Sequence, residues 1–403
     1  MAAERPYDLV LFGATGFTGR LTADYLAHAV PEGCRWALAG RDLAGLCSVR
    51  DRLAATDPRL AQLPVLVADA ADRAAMREVA ASARVVISTV GPYLHHGEPL
   101  VAACADTGTD YLDLTGEFEF VDRMYLRHHA RAKATGARLV HSCGASVTHD
   151  LGVFFTLGQL PAAARNAPVS VSGFLRAEFR SSGGTLASAL TVLSRPRAAA
   201  RAARERRAIE QPPAGRRIRT DPARPTWSPE AQAWAWPLPT IHAQVVARSA
   251  AALPHYGPDF HYRHYAAVKR LPIALLGIAG VALLATAAQL PVTRRTLSAL
   301  LKPGEGPSAE RRAKSWFTVR FVADSGEARV RTEVSGGDPG NTETAKILAE
   351  SALCLAFDDL PVTAGQVTPA AAMGATLIER LRTAGIRFTV LAERPSTAPS
   401  RAV

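Results

Sequence analysis

The chain is poor in the residues that staple a fold or bind metal. It has five cysteines in 403 residues, Cys34, Cys47, Cys104, Cys143 and Cys354, scattered and without a CxxC pair. That pattern argues against a disulfide framework and a structural zinc held by cysteines, and it points to free thiols in a reducing compartment. Aromatic residues are not interleaved with the arginine-dense stretches, so the stacking platform of a nucleic-acid binder is missing. No internal repeat runs through the sequence. The start, MAAERPYDLVLFG, mixes acid and base and leads straight into an apolar run, so neither a secretory signal nor a transit peptide is expected. An unmistakable catalytic acid–base pair is also lacking. His255, His261 and His264 have no carboxylate or cysteine at ligand spacing, so they read as an aromatic and basic flank, and no metal site is expected.

The rest is ordinary for a globular protein: 48% hydrophobic and 21% charged residues, in a chain too long for one small core, which favours two domains. A formal charge of +11 and a pI near 9.8 suggest anionic partners. Much of that charge sits in residues 195–225, which read as a solvated helix followed by a proline-rich loop, with a surface for anionic lipid or an acidic protein as the alternative.

Up to residue 150, short apolar runs (YDLVLFGA, RWALAGR, LPVLVADA, RVVISTVGPY, YLDLTG, ARLVHSCG) alternate with amphipathic segments. Such alternation predicts an α/β fold with a doubly wound parallel sheet covered on both faces. Residues 151–340 predict a second α/β domain with a mixed or antiparallel sheet, from PVSVSGFLRA, SWFTVRFVA and ARVRTEVSG. An arginine-rich and hydrophobic helical insertion is expected over 195–303, helices over 341–390, and a disordered tail over 391–403.

In GATGFTG, Gly13, Gly16 and Gly19 follow a strand and open a helix. Gly13 permits the sharp turn, Gly16 lets the backbone approach a pyrophosphate, and Gly19 lets the helix pack close to the sheet. This reads as the phosphate cradle of a Rossmann-type dinucleotide domain, with Thr15, Phe17 and Thr18 completing it and a plain tight turn as the alternative. At the end of the second strand, where an NAD site needs an acid, stands Arg41, whose guanidinium suits the 2′-phosphate of NADP; Asp42 beside it is the competing ribose partner. Asp69 is placed at the adenine edge or as a solvated strand end. Gly91 and Pro92 end the fourth strand and should border the nicotinamide. Tyr93 is the first choice for proton donor or substrate contact, with packing beneath the loop as its alternative role. His95, His96, Asp113, Glu117, the pair His149 and Asp150, and the turn Ser181–Thr185 are weaker candidates.

Leu271–Leu290 carries no charge over a span of membrane-crossing length, about 30 Å at helical rise. Lys269 and Arg270 precede it, and Arg294 and Arg295 follow. A buried or dimer-interface helix, a shallow lipid contact and a true span are all open readings.

From TVGPYLHHGEPLVAACADTGTDYLDLTGE onward, the sequence resembles the saccharopine dehydrogenase-like oxidoreductases, in particular their trans-acting enoyl reductase branch. GATGFTG, AGR, TVGPY, SGGTLAS ending at Ser188, KPGEGPS (302–308), GGDPG (336–340), TAKILAESALCLA (344–356) and TPAAAMG (368–374) carry the likeness in order. The resemblance implies an NADP domain, a second α/β domain, and a C-terminal helix packed back on the first. It also implies a reductase working in trans on acyl chains carried by lipid-building polyketide synthases. The expected protein is a cytoplasmic NADPH-dependent oxidoreductase, with membrane association through 271–290 and homodimerisation as further readings. A saccharopine-type amino-acid dehydrogenase, with Arg176 and Arg180 as carboxylate anchors, and a nucleotide-binding lipid-surface protein without turnover are the alternatives. Two departures stand out: CGASVTHDLG (143–152) where relatives read something like CGFDSIPSDLG, and Asn341 where an aromatic residue is common.

Overall fold

The computed structural model describes residues 5–391 apart from 221–223, 291–292, 294–295 and 297–303. Arg294, Arg295 and the tail from residue 392 therefore lie outside the described residues. The first sheet contains β1 (Tyr7–Phe12), β2 (Trp36–Gly40), β3 (Val65–Val67), β4 (Ala83–Ser88), β5 (Asp110–Asp113) and β6 (Arg138–Val140), all parallel. Leu9, Val10 and Leu11 are fully buried. Both faces of β1 are covered, so its sequence is a continuous apolar run rather than an alternation.

The second sheet is mixed. It uses β7 (Val169–Glu178), β8 (Arg217–Arg219), β9 (Thr226–Ser228), β10 (Ala233–Pro237), β11 (Asp259–Val268), β12 (Trp316–Asp324) and β13 (Arg329–Gly336). β7 lies between β11, parallel to it, and β12, antiparallel to it. The supposed insertion over 195–303 is thus not all insertion, because β11 is an inner strand of this sheet. In DFHYRHYAAV, Phe260, Tyr262 and His264 lie on one buried face. Those rings, taken from sequence as a flanking belt, are core residues.

The C-terminal segment completes both sheets. β14 (Gly365–Val367) pairs with β6 at the edge of the first, giving the order β14-β6-β5-β4-β1-β2-β3. β15 (Arg387–Val390) pairs with β13 at the edge of the second. Between them in space, helix Thr342–Phe357 packs on helix Phe17–Ala29, where the Tyr25 hydroxyl donates to Glu350 at 2.6 Å. Helix Ala145–Gly158, which leaves β6, lies directly on the second sheet: a Cβ on Gly152 would come within 2.3 Å of the Phe321 ring. Only glycine allows that approach.

The arginine-rich segment is not simply solvated. Helix Pro196–Ile209 packs on helix Phe118–Thr135. Arg195 pairs with Glu119 (2.8 Å), and Arg206, 3% exposed, lies over the Tyr125 ring at 3.9 Å. Helix Leu271–Gln289 rests on helix Gly183–Ser194 and leaves Leu276 and Leu283 more than 70% exposed, at 73% and 72%. It is not a buried helix, and no helix among the described residues is long and apolar enough to cross a membrane.

Candidate functional site

The strand order reverses between β1 and β4, the place where doubly wound sheets open a crevice at their carboxyl ends. The glycine turn sits there. The Gly13 N–H donates to the Ala39 carbonyl (2.8 Å) and the Thr89 N–H to that of Phe12 (3.0 Å), tying the turn to β2 and β4. Gly13 has φ +90°, and a Cβ there would lie 2.6 Å from Val90 Cγ2. A Cβ on Gly19 would fall 2.2 Å from the Gly13 carbonyl oxygen, so the helix start is pressed onto the turn. Gly16 differs: its nearest neighbour would be 3.4 Å away, and it begins helix Phe17–Ala29 with no side-chain cap. The first-turn amides therefore face open space beside a bare glycine, which fits a pyrophosphate. Thr15, Phe17 and Thr18 are part-buried around the same turn. The Arg20 guanidinium donates to the Thr15 carbonyl (2.6 Å) and to Gly304 (2.8 Å). Gly306 lies against the Phe17 ring, so the 304–308 loop covers one side of the cradle.

Arg41, exposed at the end of β2, forms no ion pair among the described residues. Its guanidinium is available to a phosphate. Asp42 precedes helix Leu43–Ala54 without making a side-chain cap. Asp69 is exposed after β3 and accepts from the Ala71 amide at 2.9 Å, so it shapes its own turn.

Gly91 and Pro92 follow β4 at the same edge, but Tyr93 does not serve as expected. It is 3% exposed, its hydroxyl donates to the Ser88 carbonyl (3.0 Å), and its ring packs on Phe120. Burial, and then Asp113, push the phenol well above its usual value. The hydroxyl is turned into the core, so Tyr93 is a packing residue and the donor must be sought elsewhere. His95 and His96 are exposed.

Sequence reasoning underrated Glu117. Its carboxylate accepts from the amides of Tyr93 (2.9 Å) and Leu94 (2.8 Å) and from the Ser188 hydroxyl (2.7 Å). It thus pins the loop after β4 to helix Gly183–Ser194. Burial raises the Glu117 carboxyl, while Ser188, Leu94 and Tyr93 pull it back. Ser188 Oγ would be 3.6 Å from a Cβ on Gly91. The only sequence signal for this meeting was that Glu117 and Ser188 both close motifs of the resemblance. Asp113 is fully buried and holds His141 Nδ1 (2.6 Å) with the Thr115 and Ser142 amides, which is a structural role.

The turn Ser181–Thr185 is a helix start: Ser182 caps helix Gly183–Ser194 through the Thr185 amide. Asp150 accepts from Ser249 (2.5 Å) and the Ala370 amide (2.8 Å), so it does not pair with His149. Asn341, the departure in the GGDPG region, is fully buried and ties the Arg180 carbonyl (3.0 Å) to Asp338. Arg176 stacks over Trp316 at 5.8 Å. A cavity of about 460 Å³ opens at the carboxyl ends of β6 and β14, lined by His141, Ser142, Arg206, Arg248, Gln366 and Thr368. Its arginines face Asp122 and Glu210.

Comparison with known proteins bears on the family and the fold. Residues 9–140 match the saccharopine dehydrogenase NADP binding domain. A Mycobacterium tuberculosis protein, named as a candidate trans-acting enoyl reductase, is 37% identical over 432 residues, covering 96% of this chain and 97% of that one. The trans-acting enoyl reductase of Mycobacterium bovis is 34% identical over 425 residues, covering 95% and 97%. Among solved structures, apo saccharopine dehydrogenase (L-Glu forming) from Saccharomyces cerevisiae superposes with a TM-score of 0.55 at 10% identity, over 96% of this chain and 100% of that one, which is a likeness of fold. On the strength of likeness across nearly its whole length, the chain belongs to the trans-acting enoyl reductase family and is an NADP-dependent oxidoreductase with the saccharopine dehydrogenase fold.

Proposed function

We propose that the protein reduces the double bond of an enoyl thioester carried on a polyketide- or lipid-building synthase. One observation carries the reading: 34–37% identity to proteins named trans-acting enoyl reductases over 95–96% of the chain. Bound NADPH would supply a hydride for the β-carbon. The chain's own residues then have three tasks. Gly13, Gly16 and Gly19, with Thr15, Phe17 and Thr18, hold the pyrophosphate on the helix amides, and Arg41 takes the 2′-phosphate, with Asp69 towards the adenine edge. Glu117 fixes the Gly91–Leu94 loop beneath the reacting end. Burial favours the protonated form of Glu117; in that form its carboxyl donates to the Ser188 oxygen and frees the hydroxyl hydrogen, so that Ser188 takes the place first given to Tyr93, passes its proton to the α-carbon and recovers one from Glu117.

The test is NADPH oxidation with a panel of enoyl thioesters and keto acids, run beside NADP⁺ reduction with saccharopine, a secondary amine that can only give up hydride. Turnover confined to enoyl thioesters is the expected result; turnover of saccharopine alone would transfer the assignment to amino-acid dehydrogenases. Ser188→Ala should lower kcat by roughly 100-fold, the scale of a lost general acid, with NADPH affinity unchanged. Wild-type kcat in that variant removes Ser188 from the proton path.

The exposed apolar helix Leu271–Gln289 packs on the helix that carries Ser188, and in this reading it receives the hydrocarbon of the carried chain or a lipid surface. Leu276→Asp should therefore weaken kcat/KM about tenfold for long-chain thioesters, on the order of two buried methylenes, and leave short ones untouched. Equal effects on both lengths would argue that the helix serves another contact.

A further inference from the structure

Three imidazoles from three separate elements meet between the helix that leaves β6 and the second sheet. His149 lies on helix Ala145–Gly158, His242 is the first residue of helix His242–Ala252, and His264 is on β11. Ring centroids are 4.3 Å apart for His149 and His242, 4.7 Å for His149 and His264, and 5.4 Å for His242 and His264. One ring nitrogen from each lies within 4.8 Å of the other two. His149 and His264 are 2% and 5% exposed, while His242 is only partly buried and leaves the cluster an approach from outside.

The hydrogen bonds around the rings are those of ligands held in place from behind. Ser146 Oγ lies 2.8 Å from His242 Nδ1, and the Tyr262 hydroxyl 3.3 Å from His264 Nδ1. With each oxygen accepting from Nδ1–H, both rings keep an unprotonated Nε2, as metal-bound histidines do. His264 Nε2 and His149 Nδ1 are buried with no hydrogen-bond partner. Among the described residues no carboxylate joins the three rings: the nearest in sequence, Asp150, is occupied by Ser249 and the Ala370 amide.

We propose that His149, His242 and His264 bind a divalent transition-metal ion, zinc foremost, with a fourth position left open. Three imidazoles without oxygen ligands select the borderline ions of the first transition row over magnesium or calcium. The set was not legible in the sequence. Its members are far apart along the chain, and of the trio His255, His261 and His264 only the last belongs; His255 packs edge-on to Phe154 at 5.0 Å. The site joins the first domain to the second, since His149 follows β6 and His264 lies in the second sheet. It stands independently of the substrate reading.

The experiment uses full-length protein without a histidine tag, stripped with a chelator and titrated with Zn²⁺ by calorimetry and with Co²⁺ by visible absorption. The expected result is one equivalent bound, with the intense visible bands of four-coordinate Co²⁺. His149→Ala and His264→Ala should each weaken binding more than the roughly 10–100-fold typical of a lost supporting contact, and Ser146→Ala should fall within that range. His255→Ala should bind as the wild type does. Failure of the wild-type protein to take up either ion at equimolar concentration overturns the proposal, whether or not the variants fold. Unchanged affinity in His149→Ala and His264→Ala overturns it as well.

Discussion

Gly16→Ala should leave the protein folded and cost it NADPH, whereas Gly19→Ala should damage both. The two glycines are three residues apart in one turn, yet a methyl group meets different surroundings at each. At position 19 it would lie 2.2 Å from the Gly13 carbonyl oxygen and 3.0 Å from Ala14 Cα, both backbone atoms that cannot swing aside. Relief requires the helix to lift from the sheet, at a cost of at least about 1–3 kcal/mol as for overpacked cores. At position 16 the nearest atom would be 3.4 Å away, an ordinary contact, and in the proposed reading the methyl takes room that a pyrophosphate would need. Fluorescence titration with NADPH should show a loss of about 100-fold or more for Gly16→Ala, that is, about 3 kcal/mol, with an unchanged melting temperature. Arg41→Ala completes the series: NADPH affinity should drop roughly tenfold or more while NADH affinity stays level, because only the 2′-phosphate contact is removed. Wild-type NADPH binding by Gly16→Ala would place the cofactor elsewhere, and equal losses for both cofactors in Arg41→Ala would leave Asp42 as the ribose partner.

The largest stability effect is expected at Asp122. It is fully buried on helix Phe118–Thr135 and accepts from Arg248, from Arg206 at 3.4 Å and from Gln244 at 3.4 Å. Arg206 is itself buried, shared with Glu210 (2.7 Å) and Gln366 (2.7 Å). Asp122→Ala would leave one carboxylate, Glu210, against two guanidinium groups in a confined, partly desolvated space. Removing one partner of a buried ion pair costs about 3–5 kcal/mol, mostly from the charge left behind. The urea midpoint should fall accordingly. Glu205→Ala is the contrast: its pair with Arg201 is exposed on the same arginine-rich helix and screened by water, so the midpoint should barely move. Similar midpoints for the two variants would mean that water, not Asp122, neutralises the buried arginines.

Asp122 also shows where reading by composition fails. An arginine-rich stretch with few acids looks solvated because its counter-charges are sought nearby in sequence. Here the counter-charges Glu119 and Asp122 come from another helix, and Arg195 and Arg206 become part of an interface. Tyr93 fails for a related reason. Its position after β4 was legible, but a strand's carboxyl end does not say whether the next side chain turns toward the crevice or into the core, and packing on Phe120 with a hydrogen bond to Ser88 decided that.

By itself the sequence determined the doubly wound sheet, the glycine turn at its switch point and the family, because those are local: a strand period, three glycines at fixed spacing, and motifs in a fixed order. Tertiary structure alone decided which polar groups meet. Glu117 with Ser188, Asp122 with Arg206 and Arg248, and the three histidines are each assembled from elements distant in the chain. Such contacts depend on how two sheets and their helices dock, and that docking is set by buried shape, such as Gly152 against Phe321, rather than by any spacing along the backbone.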